Sequence, residues 1–304
     1  MKYPLAYQEE AQKGLADLWV GGRFPHALLI EGAEGSGKQT LARMAAKMLL
    51  CRENTSGACI SCPSCQKIES QNHPDVVTVA GEPKSKSIGV DVIRALRKEA
   101  YRAPNESEYR IFLIPKAESM TIQAQNALLK IIEEPPAASV FILTVTAKEK
   151  LLETVRSRVV GIAMKELTER EREAVLKSIF PETDTSLLNV LAQDSKTVGQ
   201  AVDALNDANV QKRYQDIKTM VSLIDERNRY GLLKVLSGYE KDREGFKKLL
   251  EQVKAAYIRS LYRNGSSDAL QVKRIVDIIE EMYLSAQQNV GIQLICAVLV
   301  GKIT

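Results

Sequence analysis

An α/β fold built on a parallel sheet and continued by helices is expected from three features of the chain. Apolar runs at Ala27–Ile30, Val76–Val79, Ile111–Ile114 and Phe141–Thr146 alternate with helical periodicities, as they do where strands are joined by crossover helices. The first run leads into a glycine turn and then a helix start, the order that builds a phosphate cradle. After Met164 β-rich runs almost cease, and helical periodicities continue to Thr304.

A chain of 304 residues has room for two or three domains with ample core. Its 26% charged and 45% hydrophobic residues are those of an ordinary soluble globular protein. No apolar run approaches membrane-spanning length, and Met1 leads into a polar helix with Gln8, Glu9, Glu10, Gln12 and Lys13, not into a secretory signal. The cytoplasm is the expected compartment. With 42 basic against 38 acidic residues, the formal charge of +4 permits a nucleic-acid partner without demanding one.

From about Leu5 to Val20, Leu15, Leu18 and Trp19 among polar neighbours predict an amphipathic helix, ended by Gly21-Gly22. His26, beside the first strand, reads as structural. The loop residues Gly32, Gly35, Gly37, Lys38, Gln39 and Thr40 follow, and G-x-x-x-x-G-K fits the nucleotide-binding P-loop through Lys38. Position 39 breaks the fit. A Ser or Thr there would ligate Mg²⁺; Gln39 is a longer neutral amide, and Thr40 lies about 100° further round the helix. The sequence leaves open whether the loop binds ATP.

Four of the five cysteines, Cys51, Cys59, Cys62 and Cys65, fall within fifteen positions. Two-residue gaps let thiolates fold round one tetrahedral ion, and four sulfurs predict a closed structural zinc. Cys296, among apolar neighbours, reads as a core residue. His73-Pro74-Asp75 precedes the second strand, whose β-branched residues suit burial. Lys84, Lys86, Arg94, Arg97, Lys98 and Arg102 then form a basic stretch entering a helix near Val90, readable as a solvated face or a DNA-backbone contact.

The third strand ends in Pro115-Lys116, where a P-loop ATPase places the acids that hold Mg²⁺ and polarise water. Proline offers no ligand and lysine brings a positive charge; Glu118 comes two or three positions too late. A helix over Gln123–Glu134 is stopped by Pro135-Pro136. Strand four ends in hydroxyls, and Ser157-Arg158 comes one short helix later. Thr168 and Glu171 form a capping-box pattern opening a helical segment from Leu167 to about Asn206, split by Pro181 and Gly199. A larger helical domain follows from Ala208, with breaks near Gly238 and Asn264-Gly265.

The order of P-loop, four-cysteine module, His73-Pro74-Asp75, Asn126-Ala127-Leu128-Leu129-Lys130 with Glu133-Glu134-Pro135-Pro136, and Ser157-Arg158 resembles the bacterial clamp-loader family of AAA+ ATPases. The resemblance covers about residues 1 to 205 by specific motifs and the remainder by helical character. It implies a P-loop AAA+ domain over 1–166 with a zinc module inserted at 51–65, a helical lid over 167–207, and an all-α collar over 208–304. Motor subunits of the family keep an Asp-Glu pair at Pro115-Lys116 and a lid arginine near Gly199, so the resemblance implies a subunit that does not hydrolyse ATP itself. Arg158 would instead act in trans, as an arginine finger on the ATP of a neighbouring gamma or tau subunit. Val159 stands where many relatives have Cys. The implied partners are the gamma/tau and delta subunits, and through them the sliding clamp and primed DNA. An active ATPase subunit and an autonomous zinc-stabilised DNA-binding module are the rival readings.

Overall fold

The computed structural model describes residues 5–20, 24–53, 58–59, 61–79, 81, 87–264 and 269–303, with side chains for all of these except 259–264 and 269. Gly21-Gly22, Lys84, Lys86 and Gly265 lie outside the described residues. The chain divides into two units, residues 1–202 and 203–304.

In the first unit, strands β1 (Ala27–Glu31), β2 (Val76–Thr78), β3 (Arg110–Ile114), β4 (Ser139–Val145) and β5 (Val160–Ala163) form one sheet in the order β2-β3-β4-β1-β5. Every pairing is parallel. The sequence predicts four strands. It misses β5 because this four-residue edge strand buries only Ile162, leaving no apolar run to read. β2 also differs from expectation: it is an edge strand with Val76 and Val77 half-buried and Thr78 exposed, and the burial falls on Val79 just beyond it.

Helices α1 (Glu9–Val20), α2 (Lys38–Leu50), α3 (Pro63–Glu69), α4 (Val90–Ala100), α5 (Ile122–Glu133) and α6 (Glu153–Arg156) interleave with the strands. Side chains alternate across the sheet as the two-residue period requires. Leu28, Ile30, Ile111, Val140 and Ile142 pack with Leu15 of α1 and Leu41 of α2, whereas Leu29, Phe112, Phe141 and Leu143 pack with Ile93 of α4 and Leu128 of α5. Phe112 and Phe141 are register partners on β3 and β4, and their rings stack with centroids 5.2 Å apart. Both are fully buried, so truncating either to Ala costs about 3–5 kcal/mol.

α7 (Glu169–Ile179), α8 (Thr185–Asp194) and the start of α9 (Val198–Leu205) complete this unit. The capping box forms as the sequence predicts: Thr168 accepts from the Glu171 N–H, and the Glu171 carboxylate accepts from the Thr168 N–H. The second unit holds α10 (Ala208–Asp225), α11 (Arg229–Ser237), α12 (Arg243–Asn264), α13 (Ala269–Gln287) and α14 (Ile292–Ile303). Phe246, Leu249, Val253, Leu299 and, as expected, Cys296 lie in its core. Asp216 and Asp225 of α10 accept from the buried Tyr239 and Tyr257 hydroxyls at 2.7 and 2.8 Å, satisfying both phenols. Among the described residues no helix is long and apolar enough to cross a membrane.

Candidate functional site

The loop between β1 and α2 has the shape its glycines predict. Gly35 and Gly37 take φ of +83° and +97°, a region L side chains rarely enter. Lys38 Nζ donates to Gly32 O and Ala33 O, both at 2.7 Å, so its arm straps the loop into a ring. Gly37 is the N-cap of α2 and brings no side-chain cap, which leaves the first-turn N–H groups for a ligand. The loop opens on a cavity of about 400 Å³ lined by, among others, Ser36, Lys38, Arg43, Lys116 and Glu118. Burial holds the Lys38 ammonium below the usual lysine range and Lys116 adds to this, against the opposing pull of Glu118 and Glu34.

The end of β3 is inverted in charge relative to a hydrolytic P-loop site. Lys116, in a left-handed conformation with φ of +50°, reaches Glu34 of the phosphate loop at 2.7 Å. The hydrogen bond raises the Lys116 pKa and lowers that of Glu34. A short 3₁₀ turn, Ala117–Ser119, folds Glu118 back toward the cavity, where its Oε1 accepts from the Thr146 N–H at 3.0 Å and the Thr146 hydroxyl at 2.8 Å.

The start of α9 closes on the same loop. Thr197 Oγ1 donates to Glu34 O at 2.7 Å and Gly199 N–H to Gly35 O at 3.0 Å. A Cβ on Gly199 would meet Gly35 Cα at 2.6 Å, so the backbones touch where a side chain has no room.

The four sulfurs of Cys51, Cys59, Cys62 and Cys65 lie within 4.8 Å of one another. Cys51 and Cys62 are 3.9 Å apart, and Cys59 and Cys65 4.0 Å, close to the ~3.8 Å edge of a tetrahedron with ~2.3 Å Zn–S bonds. Cys62 caps α3, its sulfur accepting the Cys65 N–H, while the Cys62 N–H donates to Cys59 Sγ at 3.3 Å. That N–H is the chief cause holding the Cys59 thiol down at about 6, whereas burial pushes Cys51 up. The donor set and spacing fit a tetrahedral thiophilic ion.

His73-Pro74-Asp75 ties this module to the sheet. His73 Nδ1 accepts the Asp75 N–H at 3.1 Å, which leaves Nε2 protonated to donate to Ser64 Oγ on α3 at 2.9 Å; Ser64 in turn donates to Leu50 O at the end of α2. The buried Asp75 carboxylate accepts from the Asn105, Glu106 and Ser107 N–H groups. Buried Lys47 pairs with Glu69 at 2.5 Å, joining α2 to the far end of α3.

Arg158 lies just after α6, half-exposed. Its Nε is 2.7 Å from Glu133 Oε1, and one terminal nitrogen donates to Thr154 O at 3.0 Å and Ser157 Oγ at 3.1 Å.

The family model described as DNA polymerase III, delta subunit, matches residues 7–168, more than half of the chain. The chain belongs to this bacterial clamp-loader AAA+ family. DNA polymerase III subunit delta' of Bacillus subtilis is 34% identical over 197 residues, 64% of this chain and 59% of that protein. Subunit gamma/tau of Mycobacterium tuberculosis is 38% identical over 173 residues, 57% of this chain and 30% of that protein. Subunit delta' of Yersinia pestis is 36% identical over 138 residues, 45% of this chain and 41% of that protein. Each match spans less than two thirds of the relative's length.

In this clamp-loader chain Gly35, Gly37, Lys38, Gln39 and Thr40 line one cavity, while Gly32 contributes the carbonyl that Lys38 grips. Arg158 is not among the cavity's lining residues. Glu118, two or three positions too late to stand in for the strand-end acids, nevertheless lies on the cavity wall, because the 3₁₀ turn carries it there. Sequence reasoning also misses Arg43, although it is four residues beyond Gln39 and so on the same face of α2. Thr197 and Gly199 carry no local signal, since their contact with the loop is between residues more than 160 positions apart.

Proposed function

We propose that this chain is a delta-prime-type subunit of the DNA polymerase III clamp loader, a rigid, non-hydrolysing member that helps load the sliding clamp on primed DNA. One observation carries the reading: Lys116, bonded to Glu34, follows Pro115 at the end of β3, so a positive charge stands where hydrolysis needs the acids that hold Mg²⁺ and polarise water. Residues 1–166 serve as the AAA+ domain, 167–207 as its lid and 208–304 as the collar that joins the other subunits. Its compartment is the cytoplasm.

Arg158 is the catalytic contribution, made at a neighbour's site. The guanidinium pinned by Glu133 and Thr154 is displayed half-exposed beyond α6, and the phosphates of ATP held by an adjacent gamma or tau subunit would take over from Glu133 as its partner. A planar, permanently charged fork stabilises the charge that spreads over the transferring phosphoryl group. Cys51, Cys59, Cys62 and Cys65 hold a structural zinc that takes no part in this chemistry.

The identity shared with gamma/tau of Mycobacterium tuberculosis favours a second reading, an active ATPase subunit. The two separate when the complex is reconstituted with gamma or tau and delta. Arg158→Ala should assemble normally and cut ATP turnover; unchanged turnover and clamp loading would remove the trans-finger assignment.

A further inference from the structure

The phosphate loop is too well built for a relic, yet it fails the metal that normally accompanies a nucleotide. All four carbonyls from Gly32 to Gly35 are tied down within the chain, two by Lys38 Nζ and one each by Thr197 and Gly199. Lys38 has spent two of its three donors on the loop, and the third remains for a ligand. The first turn of α2 has no side-chain cap and opens on the cavity, with Arg43 on its wall.

Mg²⁺ asks for near-octahedral hard oxygens, and the two positions that supply them are Gln39 and Pro115. The carboxylates in the cavity do not replace them. Glu34 is paired with Lys116 and Glu69 with Lys47. Glu118 Oε1 is held by Thr146, and its Oε2 is buried with no hydrogen-bond partner, a single carboxylate oxygen where Mg²⁺ takes several hard ligands. What reaches over the loop from β3 is the ammonium of Lys116, whose pair with Glu34 is solvent-exposed and so readily exchanged for a phosphate.

We propose that this loop binds the polyphosphate of a nucleotide without a divalent cation, Lys116 supplying the positive charge that Mg²⁺ supplies in hydrolytic relatives. The inference rests on the non-hydrolysing reading and deepens it. A nucleotide held this way has no metal and no acid to polarise water, so it is a fixed ligand and not a substrate. It fills the cavity beneath the Thr197 and Gly199 contacts and stiffens the loop.

Calorimetric titration of the full chain with ATP, once in EDTA and once in excess Mg²⁺, tests this, with inorganic pyrophosphate in a third titration to isolate phosphate recognition. The expected result is binding in EDTA at least as tight as in Mg²⁺, with pyrophosphate competing. Lys116→Asn keeps a residue type that tolerates the left-handed backbone and should weaken binding in EDTA about tenfold or more, the scale of one charged hydrogen bond. Lys116→Asp should reverse the preference, so that Mg²⁺ tightens binding. A wild-type requirement for Mg²⁺, no binding in either buffer, or a correctly folded Lys116→Asn indistinguishable from wild type would each overturn the proposal. None of these outcomes bears on Arg158 in the reconstituted complex, so the two readings fail separately.

Discussion

Glu133, the first acid of the Glu133-Glu134-Pro135-Pro136 stop, holds Arg158 through Nε at 2.7 Å and so links the end of α5 to the segment after α6. The pair is half-exposed, so its contribution to stability is small, about 1 kcal/mol or less. Its consequence is geometric: the guanidinium is oriented by one edge.

Arg158→Lys should therefore be nearly as damaging as Arg158→Ala in the reconstituted complex, because lysine keeps the charge and loses the fork. The expected loss at the neighbour's site is about 10³–10⁵-fold, read as single-site turnover, with thermal unfolding of the isolated chain unchanged. Glu133→Gln should cost a few-fold at most. Full turnover by Arg158→Lys would contradict the role of the fork.

Asp75 sets a stability prediction with a definite pH dependence. Burial raises its pKa, but the N–H donors of Asn105 and Glu106 and the Asn105 side chain outweigh burial and hold it below the usual carboxylate value. A carboxylate depressed in the folded state stabilises above its unfolded pKa of about 3.9, and that stabilisation is lost as pH falls through the lower folded value. Asp75→Asn should cost about 2–4 kcal/mol in urea unfolding at pH 7 and progressively less below pH 4. A gap that does not shrink in acid would mean that the charge is not what matters.

Metal analysis of the native chain should find one zinc, and Cys62→Ser or Cys65→Ser should lose it. Because α3 is tied to the segment before β2 through Ser64–His73 and to α2 through Lys47–Glu69, removal should loosen residues 59 to 73 in hydrogen exchange while the Phe112–Phe141 core stays protected. Native protein without zinc would refute the ligation.

Gly199→Arg would place a Cβ 2.6 Å from Gly35 Cα and 2.9 Å from Gly35 O. The contact between α9 and the loop must open, at about 1–3 kcal/mol. Faster hydrogen exchange across residues 32–40 is the expected readout. Unaltered exchange would show that the contact is not a constraint.

Much of this architecture is legible in the sequence because its signals are local. The apolar run Ala27–Ile30, the glycines of the loop, the two-residue cysteine gaps and the Thr168–Glu171 box each act within a few residues. What escapes is non-local or depends on one turn of backbone. β5 pairs with β1 without a run of its own, Glu118 reaches the cavity only through the 3₁₀ turn, and Thr197 and Gly199 meet the loop from a distant segment. His73 and Asp75 are visible as a motif, but their task of anchoring α3 and residues 105–107 appears only when the partners are in place.

Hydrolysis of ATP by the purified chain, first alone and then mixed with gamma or tau and delta subunits, puts the non-hydrolysing role to the most direct test. Silence of the isolated chain, with Arg158-dependent turnover in the mixture, is the predicted result and follows from Lys116 standing where an acid is needed. Substantial turnover by the isolated chain, abolished by Lys38→Ala, would contradict it and make this protein a motor.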